Sequence, residues 1–418
     1  MSADAAARLN TWAQRAAHVI PGGASTGSKR PDALYGAGLA ADLPTHMRRA
    51  FGCRLETADG RVLVDCGMAL GAVALGYADP EVTAAVQEAA ASGPVGGLSP
   101  LLEIEVAERL TEVIPSAEQV RFLKSGAEAT SAAVRLARAH TGRNLVIASG
   151  YFGWHDWSNP GPGVPWQAQA DVRHVPFDRV DALEAAVRDT GEQLAAIVIE
   201  PLVHHVASHE WLLAARAFCD ERGAVLIFDE IKTAFRMHTG GVQAALNVLP
   251  DLTSLGKAMA NGYSLSAVVG SRAVMQSAHR AWISSTLASE TTALAAARVV
   301  LERHTRSDVC GELSRIGARV QQVTQHALAP HGLGIRVDGP APMWRLHSDD
   351  PAVLDSLVAE VVREGVLLKR GAYQFASLAH DESAIELVGA AIATAAARVR
   401  ARRDARSTPA DESTEKPL

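Results

Sequence analysis

Ala224-Val225-Leu226-Ile227-Phe228-Asp229-Glu230 is the stretch on which the fold turns. An unbroken apolar run, apolar toward both faces, is the pattern of a strand buried on both sides of a sheet. An acid stands at its carboxyl end. On the N-terminal side, Trp211 to Arg222 has helix-length amphipathic patterning, and Ala195 to Glu200 is a second strand-like run. Gln119 to Leu123, Asn144 to Ser149 and Leu265 to Gly270 repeat the strand signature, with helical stretches at Glu128 to His140 and Val180 to Asp189. This alternation predicts an α/β fold whose large domain is a mostly parallel sheet between helices.

Further outward the rhythm changes. Arg54 to Asp65 predicts two short strands about the favoured turn Asp59-Gly60. Helices are expected over Asp4 to Ile20, Glu81 to Ala91 and Leu102 to Val113, and a longer one from about Leu287 through Glu302. An α+β region then runs to about Val399. The resulting division is an N-terminal segment, 1–60, contributing to a smaller domain; a large domain, 61–295; an α+β small domain, 296–400; and a polar, disordered tail, 401–418.

Composition narrows the function. The 418 residues carry a net charge of −6, with 48% hydrophobic and 21% charged side chains, ordinary for a globular protein. Basic residues do not cluster, so a nucleic-acid partner is not expected. The most apolar stretch, Leu387 to Ala397, is too short to span a membrane, and Asp4 and Arg8 interrupt any signal-peptide core. Cys53, Cys66, Cys219 and Cys310 lack metal or redox spacing and read as buried thiols in a reducing cytoplasm. His204, His205 and His209 follow Glu200-Pro201 on an expected loop, and no metal site is expected there.

Sites in open parallel sheets lie at the carboxyl ends of the strands. The first strand runs into Lys124-Ser125-Gly126-Ala127-Glu128, where small residues and free helix-start amides suit a phosphate, although such turns also occur for purely structural reasons. The next ends at Gly150-Tyr151-Phe152-Gly153-Trp154, an aromatic cluster that could stack on a planar ligand or pack in the core. Asp229 could cap a helix, bind a metal or pair with a protonated ring nitrogen. Lys257, in Asp251-Leu252-Thr253-Ser254-Leu255-Gly256-Lys257, is one of six lysines and follows a Gly in what reads as a small-residue loop. A desolvated amine there could act as a nucleophile. Lys124 and Lys232 lack that setting and read as structural. Phosphate turn, aromatic ring, strand-end acid and loop lysine together match pyridoxal phosphate, which needs a phosphate cradle, an acid on its ring nitrogen and a Schiff-base lysine.

At these residues the chain resembles the class III aminotransferases of pyridoxal-phosphate fold type I, and within them the glutamate-1-semialdehyde 2,1-aminomutase-like branch. The carrying stretches are Arg121 to Thr130, Val225 to Glu230 and Asp251 to Lys257, and the resemblance extends from about Pro21 to about Arg398. It implies that Lys257 forms the Schiff base and shuttles a proton, that Asp229 holds the ring nitrogen, and that Ile231 and Tyr151 cover the two ring faces. Ser125, Gly126 and Ala127 would bind the phosphate. Thr286 matches a position from which family members reach a neighbouring subunit's phosphate, which implies a homodimer with shared active sites. Glu200 matches the family's Glu-Pro near cofactor or substrate, and Ser28, Lys29 and Arg30 resemble a substrate-entry loop.

Several positions depart from the family pattern. The usual Tyr-His-Gly is Tyr151-Phe152-Gly153, and the usual Gly-Phe-Arg is Ala234-Phe235-Arg236. Lys232 takes a position that is usually apolar. Ser289-Glu290-Thr291 replaces Gly-Asn-Pro, and Gly76-Tyr77-Ala78-Asp79-Pro80 replaces an early Gly-His-x-His-Pro. The expected activity is therefore transfer of an amino group from a small-molecule amino-acid donor to an aldehyde or ketone acceptor in a specialised biosynthetic pathway. An intramolecular 2,1-aminomutase of the glutamate-1-semialdehyde type and a decarboxylase are the alternatives.

Overall fold

A computed structural model describes residues 12–36, 38–39 and 42–407. Two units emerge: Met68–Arg315 with Ala376–Leu378, and Met1–Gly67 with Ile316–Phe375 and Ala379–Leu418. The larger holds a seven-stranded sheet, its strands numbered along the chain: β1 Gln119–Leu123, β2 Leu145–Ser149, β3 Val172–His174, β4 Leu194–Ile199, β5 Val225–Asp229, β6 Leu252–Leu255 and β7 Ser266–Gly270. Their spatial order is β1-β7-β6-β5-β4-β2-β3, and β7 alone runs antiparallel to its neighbours. The carboxyl ends of the other six consequently lie along one edge.

The alternation of side chains explains why the central strands β2, β4 and β5 are apolar along most of their length. Val225 and Ile227 of β5, with Val146, Ala148, Ala196 and Val198, face a core closed by Ala129, Ala133, Leu136 and Ala137 of the helix Gly126–Thr141. Leu226 and Phe228, with Ile147, Ile197 and Ile199, face the opposite core, closed by Leu183, Val187, Trp211 and Leu212. Each fully buried Leu, Ile or Phe contributes about 1.5–3 kcal/mol relative to exposure. The alanines along Gly126–Thr141 let that helix lie close to the sheet. Its start is secured by a capping box between Ser125 and Glu128, and its end by Gly142 in a left-handed conformation.

Two strands escape the hydrophobic pattern. β3 is three residues long and sits at the sheet edge. β6 reads as loop because Thr253 and Ser254 are polar, yet both are fully buried. The hydroxyl of Thr253 meets Ser116 Oγ at 2.9 Å and Gln243 Nε2 at 3.0 Å, so a polar side chain is accommodated inside the sheet.

In the smaller unit Met47–Phe51, Arg54–Thr57, Val62–Asp65 and Val366–Leu367 form one sheet, and Ile335–Asp338, Met343–Ser348 and Tyr373–Phe375 another. The division falls after Gly67 rather than at residue 60, because Val64 and Asp65 pair with Val366 and Leu367. It falls near 315 rather than 295, because helix Thr291–Arg306 packs on Pro80–Ala91 and Leu101–Val113 of the larger unit. The segment 401–407, expected in a disordered tail, continues the helix Glu382–Ser407. Arg398 and Arg402 there both pair with the buried Glu360, which ties the charged end down. The helix expected over Asp4 to Ile20 is present at 12–19; its earlier part and the tail beyond 407 lie outside the described residues. Among the described residues no helix is long and apolar enough to cross a membrane.

Candidate active site

Strand ends of the large sheet meet in a cleft of about 390 Å³. Ser125, Gly126, Ala127, Tyr151, Glu200, Asp229, Ile231 and Lys257 all line it. β5 delivers Asp229, only 4% exposed. Its Oδ1 accepts from the Ile231 amide at 3.0 Å and its Oδ2 from Thr130 Oγ1 at 3.1 Å. Burial, and then the Glu200 carboxylate, push Asp229 up from 3.8 to about 7, against the pull of those two donors and Lys232. A carboxylate so placed is short of positive charge.

β6 ends at Leu255, and Gly256 leads into Lys257, which opens the short 3-10 helix Lys257–Ala260. Lys257 has φ of 49°, the left-handed region that a side chain enters at a cost of about 1–2 kcal/mol. Such strain concentrates where a site needs it. The loop is held from below by Asn261, whose Oδ1 accepts the amides of Ala74 and Leu75 at 3.0 Å and whose Nδ2 donates to Gly76 O at 2.9 Å. Burial first, and the Lys232 charge second, lower Lys257 from 10.5 to about 8. Glu200 and Asp229 act against this, and Arg236 adds to it.

The turn after β1 is tied together by its own carboxylate. Glu128 Oε2 takes the amides of Lys124 and Ser125, at 3.1 and 2.7 Å, and Ser125 Oγ takes that of Glu128. The amides of Gly126 and Ala127, left without intrahelical acceptors by helix geometry, are what the turn offers a ligand. Gly126 lets Ile231 lie against the turn, since a Cβ there would come 2.7 Å from Ile231 Cδ1 and the side chain would have to shift. Gly153 presses on the same turn: its Cβ would lie 2.4 Å from that of Ala127. Phe152, standing where the family places a His, turns into the core and stacks on Trp157 with centroids 6.0 Å apart. Tyr151 remains 66% exposed at the mouth.

Other expected residues lie elsewhere. Thr286 sits on an exposed turn and does not line the cleft. Ser28, Lys29 and Arg30 belong to the smaller unit, where Ser28 O accepts from Lys369 Nζ at 2.5 Å. The histidines after Glu200 are dispersed: His205 meets Asp178 at 2.9 Å, and His209 begins the helix His209–Arg222. Two lysines that read as structural do line the cleft, each paired with a glutamate. Lys124 Nζ lies 3.1 Å from Glu290 Oε2, and Lys232 Nζ bonds Glu200 Oε1. The sequence signal for Lys232 was its charge at a position that is usually apolar. Thr130, one turn inside the helix, closes a stretch that carries the family resemblance, yet nothing in the sequence assigned it to Asp229.

The class III aminotransferase family profile matches residues 37–157 and 160–378. The chain belongs to the class III aminotransferases. Their cofactor is pyridoxal phosphate, and the residues present fit it: a glycine-tight anion turn, a buried acid seeking a cation, and a depressed lysine amine meet in one cleft. This aminotransferase is 33% identical over 389 residues to a 2'-deamino-2'-hydroxyneamine transaminase of Streptomyces kanamyceticus, covering 91% of this chain and 97% of that one. It is 32% identical over 410 residues to a glutamate-1-semialdehyde 2,1-aminomutase of Methanothermobacter thermautotrophicus, covering 89% and 95%. Among solved structures, the pyridoxal-phosphate internal aldimine form of FumI from Sphingopyxis sp. MTA144 superposes with a TM-score of 0.90 at 27% identity, covering 96% of this chain and 98% of that one. The enzyme thus has pyridoxal-phosphate fold type I, with aminotransferase or aminomutase chemistry.

Proposed function

We propose that this enzyme moves an amino group from an amino-acid donor to a separate aldehyde or ketone acceptor in a specialised biosynthetic pathway. The observation that carries the reading is that Lys257, Asp229, Ile231, Tyr151 and the Ser125-Gly126-Ala127 turn share one cleft with Lys232, which takes a position usually apolar in the family, and with Lys124, whose partner Glu290 replaces the family's Asn. Bound pyridoxal phosphate supplies an electron sink for the bond broken at the substrate's α-carbon. Lys257 Nζ holds the cofactor at rest and, once released, holds and moves the proton; an amine brought down from 10.5 to about 8 gives up its proton far more readily near neutral pH than an ordinary lysine. Asp229 orients the ring through its nitrogen, Ile231 and Tyr151 flank its faces, and Ser125, Gly126 and Ala127 anchor the phosphate.

The likeness to a neamine-type transaminase supports a polar cyclic or sugar-like carbonyl as acceptor. Thr286, exposed and outside its own cleft, supports a homodimer in which it reaches the partner's phosphate. Ser28, Lys29 and Arg30 are proposed to grip a substrate carboxylate, and the buried thiols support a cytoplasmic setting. The second reading, an intramolecular aminomutase, is favoured by the 32% identity to the Methanothermobacter aminomutase. The visible spectrum of the purified enzyme, recorded before and after a panel of amino acids, separates them. Bleaching by one donor with release of its keto acid supports transamination and names the donor. A band that no amino acid bleaches turns the assignment to the mutase, and carbon dioxide release turns it to a decarboxylase.

A further inference from the structure

The Lys232–Glu200 pair is the feature of the cleft that cofactor binding does not itself require. Glu200 follows β4, and Lys232 follows β5 by three residues. Their side chains are 8% and 10% exposed. Glu200 is fixed from further directions: its Oε2 accepts the Tyr151 amide at 3.0 Å, and a Cβ on Gly150 would lie 2.6 Å from its own. A buried ion pair is a weak stabilising device, often replaceable by apolar side chains without loss. Its value here lies in what it faces, for charges withdrawn from water act strongly on their neighbours.

Asp229, Glu200 and Lys232 line the cleft together with Lys257, and the charges of these three and of Arg236 act on its amine. Arg236 is fixed by backbone carbonyls, at 2.6 Å from Ala376 O and 3.2 Å from Gly71 O. Asp229 is faced by Glu200 and Lys232, besides the Thr130 hydroxyl and the Ile231 amide. Without Lys232, Glu200 would be an uncompensated anion beside both working groups. It would favour a neutral Asp229, less able to hold a ring nitrogen, and a protonated Lys257, unable to accept a proton. Burial and Glu200 already raise the acid, and Lys232 works against Glu200 there while lowering the lysine.

We propose that the Lys232–Glu200 ion pair sets the charge balance of this cleft, with Lys232 a positioning residue that favours the ionised form of Asp229 and the neutral form of the Lys257 amine. The proposal rests on the assignment of Lys257 and Asp229 to pyridoxal phosphate. It predicts effects of opposite sign from two neighbouring substitutions, which a packing role does not produce.

The test is a pH titration of the visible band of the purified, cofactor-loaded enzyme, with pyridoxal phosphate affinity measured alongside. Lys232→Met, which restores the usual apolar character, raises the titration midpoint by about one pH unit and weakens the cofactor. Glu200→Gln lowers the midpoint by a similar amount. The double variant falls between the two. Midpoints that both stay at the wild-type value, or both move the same way, overturn the proposal. Should Lys232→Met fail to fold, Glu200→Gln decides alone, since an unchanged or raised midpoint contradicts the charge argument. A wild-type protein that takes up no pyridoxal phosphate removes the cofactor assignment itself, and with it the proposal.

Discussion

Replacing Asp229 with Asn separates the stability of the fold from the needs of the site. In the cofactor-free protein the carboxyl group is raised from 3.8 to about 7. Between those values the folded chain keeps a proton that the unfolded chain has released. Stability is therefore fully present below 3.8, falls as pH rises through the window, and reaches its low level above about 7. About three pH units at about 1.4 kcal/mol each bound the loss near 4 kcal/mol. Asn carries no charge and escapes it. Its hydrogen bonds also close: the Ile231 amide keeps its oxygen acceptor, while Thr130 Oγ1, which lies 3.1 Å from Gly126 O, donates to that carbonyl and accepts from the new amide. Lys257, lowered to about 8, acts in the opposite sense, adding stability as pH rises from about 8 to 10.5, so the comparison belongs below 8. Thermal unfolding of cofactor-free wild type and Asp229→Asn at pH 5 and 7.5 is the assay. The variant unfolds at higher temperature at pH 7.5, by up to the equivalent of about 4 kcal/mol, with a smaller advantage at pH 5. Its affinity for pyridoxal phosphate falls about 10- to 100-fold, the scale of a lost charged hydrogen bond. A variant that unfolds at or below the wild-type temperature at pH 7.5, or that binds the cofactor equally well, refutes the reasoning.

Lys257→Ala lowers turnover by at least about 1000-fold while leaving the phosphate turn able to retain the cofactor, whose visible spectrum becomes that of the unlinked aldehyde; turnover near wild type removes Lys257 from its role. Gly153→Ala places a Cβ 2.4 Å from that of Ala127 at a φ of 92°, costing about 1–3 kcal/mol from overpacking and about 1 kcal/mol or more from the backbone. Its melting temperature and its affinity for pyridoxal phosphate both fall, and unchanged values of either contradict the close packing of this loop on the phosphate turn.

Some of this was legible in the residues alone. The runs at 195–199 and 225–228 are apolar on both faces, as strands of a sheet covered on both sides must be, and their alternation with helical stretches makes the α/β architecture follow from local pattern. Asp229, Lys257 and the Ser125-Gly126-Ala127 turn announce themselves because strand ends in a parallel sheet share one edge. β6 stayed hidden, since Thr253 and Ser254 are polar and the burial of Thr253 depends on Ser116 and Gln243, which tertiary structure brings to it. The helical 401–407 stayed hidden for a similar reason: Glu360, which ties down Arg398 and Arg402, lies far earlier in the chain. Sequence by itself thus determined the cofactor, the chemistry available to it and the class of fold, because these depend on residue type and local periodicity. Tertiary structure alone decided that Lys232 meets Glu200, that Thr130 supports Asp229 and that Phe152 turns away into the core. Each of those contacts exists only once β1, β2, β4 and β5 take their places in the sheet, an order that spacing along the chain does not encode.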